Sequence, residues 1–576
     1  MAEKFVDPAE LPCEYARRFL PKDLPLGEWE ALAPLFEDLE KRSLLSRRDV
    51  EQALLDLSEL LAAVEEEGAI RYIRMTCDTT NPDYEKAYLA FVENVVPKVE
   101  EALHRLRLRF TQSPAWKDLP SERYLVLQRK WENAVRLFRE ENIPLKVEEE
   151  KLGQRYQKLF GAMTVEFEGR THTLQQMAKY LEEPDRRLRE RAWELIAERR
   201  LQDKDEIEGI FEELLVLREK RAKNAGFANF RDYAFHERER FDYGPRECEE
   251  FHKGVEEAVV PLLRLLHKER AKRLGLKKLR PWDLLVDPEG RPPLRPFANP
   301  EDLVQGAGEI FRRLDRRLGE LFGRMAALGL LDVANRPGKA PGGYQSTLTE
   351  RRLPFIFMNA VGRDQDLWTL LHESGHAFHT LLCRDEPLHM YRDPPTEFAE
   401  VASMGMELLA SPFLDVFYPN DEERKRSLEE HLYGIVRLLA WVATIDAFQH
   451  WLYTHPGHSR AERHRAWVEI FRRFGGLEDW TGYEEVLEHE WHRQLHLFLA
   501  PFYYIEYGIA QLGALALWQR SLEDRAQALE GYIRALSLGG SRPLPELFSA
   551  AGLPFEFGPK SLSRAAQTLY QALMQT

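Results

Sequence analysis

The segment Asp364-Gln-Asp-Leu-Trp-Thr-Leu-Leu-His-Glu-Ser-Gly-His-Ala-Phe-His-Thr-Leu-Leu382 places three chemically capable side chains within five residues. His372 and His376 are four apart, so on a helix they project from one face, one turn apart. That spacing lets two imidazole nitrogens reach one zinc ion at roughly 2.0–2.1 Å each. Glu373 follows the first histidine, close to such an ion but outside its ligand shell. From there it can take a proton from a water activated by the metal and pass it to a leaving amine.

The flanking residues fit that reading. Leu367, Leu370, Leu371, Phe378, Leu381 and Leu382 form one apolar stripe, with His372, His376 and His379 on the opposite face. No Lys or Arg lies between Arg363 and Arg384, although charged residues make up 31% of the chain, so the polar face should line a cleft. A catalytic zinc needs a third protein ligand. A histidine six residues after His376 would be one solution, but Leu382 stands there. A glutamate on a later helix is the other. Pro394-Pro-Thr-Glu-Phe-Ala-Glu-Val-Ala-Ser-Met-Gly-Met-Glu-Leu-Leu409 offers one, with Thr396 as the expected N-cap. Phe398, Val401, Ala402, Gly405, Leu408 and Leu409 make its packed stripe, while Glu397, Glu400 and Glu407 lie away from it. Spacing alone leaves the choice among these three open.

The elements that must position these residues are mostly helical. Stretches such as Val50 to Glu66, Asp83 to Leu108 and Arg186 to Ala222 carry apolar residues at three- and four-residue spacing. Two regions break the pattern. Met163 to Thr171 alternates around a turn-like Glu-Gly and predicts a hairpin. Glycine-rich Gly338 to Tyr344 leads into Gln345-Ser-Thr-Leu-Thr349 and Pro354-Phe-Ile-Phe-Met-Asn359, two short strands beside the histidine helix. With 576 residues, more than one core is expected: an N-terminal helical region over 1–150 and a second over 151–576. The second holds the histidine helix near 366–382 and the glutamate helix near 397–409. A net charge of −15 argues against nucleic acid as a partner. Cys13, Cys77, Cys248 and Cys383 are far apart and form no CxxC pair, which suggests neither a thiolate zinc site nor a disulfide framework. The polar start lacks a signal-peptide core, and Pro501 and Glu506 interrupt the apolar stretch Leu495 to Trp518. A cytoplasmic protein with no membrane partner is the expectation.

The combined motifs resemble the oligoendopeptidase F branch of the thimet-oligopeptidase-like zinc peptidases. His372-Glu-Ser-Gly-His-Ala-Phe-His379 is similar to that family's HExGHxxH form, and Thr396-Glu-Phe-Ala-Glu-Val-Ala-Ser403 to its second ligand motif. The resemblance maps the third ligand onto Glu400 and puts Ser403 beside it. Arg280-Pro-Trp-Asp-Leu284 and the glycine-rich segment before Tyr344 look like further landmarks. His496-Leu-Phe-Leu-Ala-Pro-Phe-Tyr-Tyr-Ile-Glu-Tyr507 resembles the family's C-terminal signature, which implies oxyanion stabilisation by His496 and Tyr507. Tyr503, Gly343 and Tyr344 follow as substrate contacts.

The implied protein is mainly α, a large two-lobed helical zincin-like peptidase with a deep central channel and a small β-sheet beside the HExxH helix. It would bind one zinc per chain through His372, His376 and Glu400 and cut internal bonds of short unfolded peptides, with Glu373 as base. Two other readings are a helical zinc carboxypeptidase using Arg384 or Arg392 for the substrate carboxylate, and a non-catalytic peptide-binding scaffold.

Overall fold

The computed structural model describes residues 6–336, 338–340 and 342–575; Pro341, within the glycine-rich lead to the strands, lies outside them. The described chain is mainly helical, with five short strands. It divides into two compact units, each assembled from three stretches of sequence. One comprises the chain up to Arg136, Leu294–Leu428 and Gly513–Phe555; the other Leu137–Pro293, Glu429–Leu512 and the chain from Glu556.

In the first unit, the helix Arg47–Cys77 shows how local sequence sets an element. Ser46 and Asp49 form a reciprocal capping box that satisfies two of the orphan N–H groups at its start. Val50, Ala53, Leu54, Leu57, Leu60 and Leu61 then repeat at helical spacing and are all buried. They join a core in which Trp116 and Trp131 stack with ring centroids 5.1 Å apart.

The same unit holds a three-stranded sheet in the order β3-β5-β4, where β3 is Leu331–Ala334, β4 Tyr344–Leu348 and β5 Leu353–Ala360. β4 pairs antiparallel with β5, from Tyr344 opposite Phe357 to Leu348 opposite Leu353. The central strand β5 is buried at every position but Asn359, which explains its unbroken apolar run. β3, paired parallel to β5, was not anticipated, because four residues are too few to show a period. In the second unit, β1 (Thr164–Phe167) and β2 (Arg170–Thr173) form the expected hairpin, with Glu168 and Gly169 both at positive φ in the turn.

The HExxH helix spans Asp364–Leu382 and the Glu400 helix Thr396–Ala410. Asp366 opens the first by accepting the N–H groups of Val361 and Arg363 at 2.8 and 2.9 Å. Asp364 accepts from Tyr418, Ser427 and Trp368, which ties that N-terminus to its surroundings. Thr396 is not the N-cap of the second helix. Pro395 takes that place with no side-chain capping bond, its extended φ and ψ turning the chain into the helix.

The two helices touch backbone to backbone. A Cβ on Gly375 would stand 2.4 Å from the Ala402 carbonyl oxygen and 2.6 Å from the Ser403 Cα. Tyr532 closes the contact from behind by donating its hydroxyl to the Ala402 carbonyl at 2.7 Å. Gly375→Ala should therefore force the helices apart and destabilise the protein by roughly 1–3 kcal/mol. The same variant should lose metal retention, and thermal unfolding together with metal analysis of the purified protein would check both effects.

Candidate active site

The tight crossing brings His372, His376 and Glu400 together. His372 Nε2 lies 3.4 Å and His376 Nε2 3.7 Å from Glu400 Oε2. One ligand atom from each residue falls within 4.8 Å of the others, a spread that one metal ion can span. The donor set of two imidazoles and a carboxylate is the chemistry of a catalytic zinc site.

Two of the donors are held by neighbours. Glu407, about two turns beyond Glu400, meets His372 Nδ1 at 2.6 Å. That contact puts the proton on Nδ1 and leaves Nε2 with a lone pair for a cation. Ser403 donates its hydroxyl to Glu400 Oε2 at 2.9 Å, as the resemblance placed it. Glu407's partnership with His372 escaped the sequence reading, which could place Glu407 only on the polar side of its helix.

The electrostatics call for a cation. Burial opposes charge on His372, yet hydrogen bonds to Glu400 and Glu407 raise its pKa well above that of a free imidazole. Burial also opposes ionisation of Glu400, but the His372 hydrogen bond and the His376 charge hold its carboxyl well below the usual range. Burial lowers His376 to about 4. A protonated His372 between Glu400 and Glu407 thus carries the positive charge that a metal ion would supply, and Nε2 must give up its proton for the ion to bind.

Glu373 is buried beside the pair but outside the ligand cluster. Burial pushes its pKa up to about 7; the His372 charge pulls it down, Glu400 and Glu407 push it up, and the Gln345 backbone N–H pulls it down. A carboxylate near neutrality is suited to taking and returning a proton. His379 departs from expectation. It is turned into the interior against Phe398, 6.0 Å between ring centroids, with neither ring nitrogen hydrogen bonded, and burial lowers its pKa to about 3.

The strand residues lie in this unit too. Gly343 is exposed at the start of β4. Tyr344 stacks on Phe357 at 4.8 Å and shares a 2.6 Å hydrogen bond with the Thr76 hydroxyl, so its ring is engaged with the unit's own body.

The second unit assembles the C-terminal cluster. His496 lies 5.6 Å from Tyr503, 4.9 Å from Tyr504 and 5.9 Å from Tyr507, measured between ring centroids. A relay fixes the histidine's tautomer. Trp441 donates its indole N–H to Gln494 Oε1 at 2.8 Å, which orients the amide so that Gln494 Nε2 donates to His496 Nδ1 at 2.8 Å. The ring proton is thereby left on Nε2 as a donor. Tyr504 lines a 570 Å³ cavity with Gln494 and Trp441. Tyr503 lies under Arg238 instead. Phe502 adopts φ 62°, a strained value for a bulky residue, held by its N–H on Gln449 and its carbonyl on Arg240. Buried Arg218 anchors the preceding segment through the carbonyls of Leu497 and Phe498. The Arg280-to-Leu284 landmark is structural: Asp283, fully buried, accepts from Arg186 and Arg189.

A half-buried HExxH pair beside a glutamate helix on a mainly helical framework defines a zincin-type class of site. The chain belongs to peptidase family M3: the family model matches residues 179–558, and the family's N-terminal domain matches residues 26–138. Oligopeptidase PepF of Bacillus subtilis is 24% identical over 344 residues, covering 57% of this chain and 50% of that protein. Group B oligopeptidase PepB of Streptococcus agalactiae is 24% identical over 306 residues, covering 51% and 48%. The chain thus spans about half the length of the curated relatives it matches. Among solved structures, PZ peptidase A with an inhibitor is 27% identical with a TM-score of 0.88, over 98% of this chain and 99% of that one. A structure assigned as an oligoendopeptidase F is 28% identical with a TM-score of 0.89, over 97% and 99%.

The Glu407 contact is testable without an activity assay. Glu407→Ala should weaken metal retention by roughly 10–100-fold, as loss of a group that orients a metal-bound histidine does elsewhere. Competition with a chromophoric chelator would measure the change, with circular dichroism showing the helices intact.

Proposed function

We propose that this chain is a zinc-dependent endopeptidase that cuts internal bonds of short, unfolded peptides. The observation that carries the reading is the convergence of His372 Nε2, His376 Nε2 and Glu400 Oε2. These three would hold one zinc, which when bound supplies a Lewis acid for the scissile carbonyl and a more acidic water. Glu373 takes the proton of the attacking water on its carboxylate and later delivers it to the leaving amine. His496, its Nε2 proton kept by the Gln494 relay, and Tyr507 donate hydrogen bonds to the oxyanion, with Tyr503 contacting the peptide. β4 is an edge strand with one hydrogen-bonded neighbour among the described residues, so an extended peptide can pair along it near Gly343 and Tyr344. A cytoplasmic location suits the four cysteines, none of them in a disulfide. The oligopeptidase names of the relatives support the substrate class.

The carboxypeptidase reading is weaker. Arg384 donates to Glu14 and Tyr15, and Arg392 to the carbonyls of Glu386 and Thr349, so both guanidinium groups already serve the fold.

Two experiments test the proposal. Glu373→Gln should keep zinc at this site yet lose several orders of magnitude in turnover, because an amide cannot accept the proton. Glu400→Gln should release that zinc instead; equal zinc loss in both would refute the division of roles. For the substrate, a peptide of roughly 6–20 residues should be cut internally, and C-terminal amidation should change the rate only modestly. Stepwise loss of C-terminal residues, blocked by the amide in mass spectra, would assign a carboxypeptidase.

A further inference from the structure

The second unit contains a fully buried group of potential metal ligands that the proposed reaction does not use. Cys248 comes from the helix Pro245–Gly254, and Asp446 and His450 from the helix Asp421–Thr454. One ligand atom from each lies within 4.8 Å of the others. Cys248 and Asp446 have no solvent exposure and His450 has 7%. Asp446 Oδ2 is 2.8 Å from His252 Nε2 and 3.3 Å from His450 Nε2. Asp446 Oδ1 and both ring nitrogens of His450 have no hydrogen-bond partner. Aromatic rings wall the group: Phe235 and Phe502 stand edge-on to His450, and Phe474 to His252.

Unsatisfied polar atoms this deeply buried are costly, and Asp446 Oδ1 and His450 Nδ1, which stay without a partner beside the 3.3 Å approach of His450 Nε2 to Asp446 Oδ2, point to a missing one. We propose that Cys248, Asp446 and His450 form a second, structural metal site that takes a thiophilic divalent cation, zinc foremost. The donor set selects the ion: a thiolate favours zinc over magnesium or calcium, and imidazole and carboxylate are further zinc donors that leave the fourth position to a water. The charges also balance. A thiolate, a carboxylate and a neutral imidazole around a divalent ion sum to zero, the condition under which such a group tolerates full burial. On binding, the Cys248 thiol proton leaves to solvent and the sulfur lone pair goes to the cation. His252 donates its Nε2–H to Asp446 Oδ2, which holds the carboxylate and leaves Oδ1 for the ion.

A second cluster in the same unit, Glu208, His464 and His489, argues by contrast. There the buried Arg463 guanidinium already sits on the Glu208 carboxylate, and its fixed positive charge opposes a cation. Among the described contacts no Arg or Lys pairs with the Asp446 carboxylate, whose neighbours are the imidazoles of His252 and His450. The site escaped a search for CxxC because its signal is different: Cys248 and His252 are four residues apart, as are Asp446 and His450, so each pair shares one helical face.

The test separates this site from the catalytic one. Full-length His372→Ala/Glu400→Ala protein, stripped of metal and dialysed against zinc, should still hold about one equivalent by mass spectrometry of the metal content. Loaded with cobalt instead, it should show a thiolate-to-cobalt charge-transfer band in the near ultraviolet. Adding Cys248→Ser should abolish that band and lower the bound metal to near zero. Should the serine variant not fold, the band in the cysteine-intact protein still decides. No retained equivalent in the double variant, or bound cobalt without a sulfur band, would overturn the proposal.

Discussion

The candidate catalytic site depends on one approach of backbone to backbone, at Gly375 against Ala402 and Ser403. A helix pair normally keeps 8–10 Å between axes because side chains stand between them. Here the glycine removes the side chain that would sit 2.4 Å from a carbonyl oxygen. The crossing then lies one residue from His376 and within two or three of Glu400, so the three ligand atoms share one small volume. Ser403 reaches Glu400 and Glu407 reaches His372 for the same reason. A wider crossing would leave two helices of similar sequence character and no metal centre.

That dependence also explains what the sequence could and could not disclose. The i, i+4 histidine spacing is a property of a single helix, so it was readable without any tertiary information. The third ligand was not. Glu397, Glu400 and Glu407 all lie off the apolar stripe, and all are withdrawn from full solvent exposure, Glu397 to 6%. Choosing among them requires the crossing angle, which neither helix encodes alone; the family resemblance supplied what spacing left open. His379 was misplaced for a related reason. Its helical phase puts it above His372, but Phe398 on the second helix covers that turn and makes it interior. The interleaving of each unit from three stretches of chain is likewise a matter of long-range contact, invisible to a local period.

The C-terminal cluster shows a second kind of illegibility. Three tyrosines and a histidine within twelve residues read as equivalent aromatics. Their differences come from partners far away in sequence. Tyr504 lines a cavity with Trp441 and Gln494, the pair that orients His496, while Arg238 lies over Tyr503. The left-handed Phe502 between them has no glycine or asparagine to announce it. Its strain is offset by Gln449, Arg240 and a fully buried ring. Strain stored beside polar side chains is a frequent mark of a functional segment, since only a surrounding network can hold it.

Glu373 illustrates how opposing environments set a proton affinity near neutrality. Burial alone raises Glu373, and the neighbouring carboxylates act in the same direction. Against them stand the positive charge at His372 and the Gln345 N–H, which stabilise the anion. Zinc held by His372 and Glu400 would strengthen the second set, so the carboxylate would be ionised at neutral pH yet less solvated than one in water. Gln345 belongs to β4, the edge strand proposed to pair with a peptide. A shift of that strand on pairing would move the N–H that helps to keep Glu373 charged. In the proposed reading, the Gln345 amide would bear on both peptide pairing along β4 and the charge of Glu373.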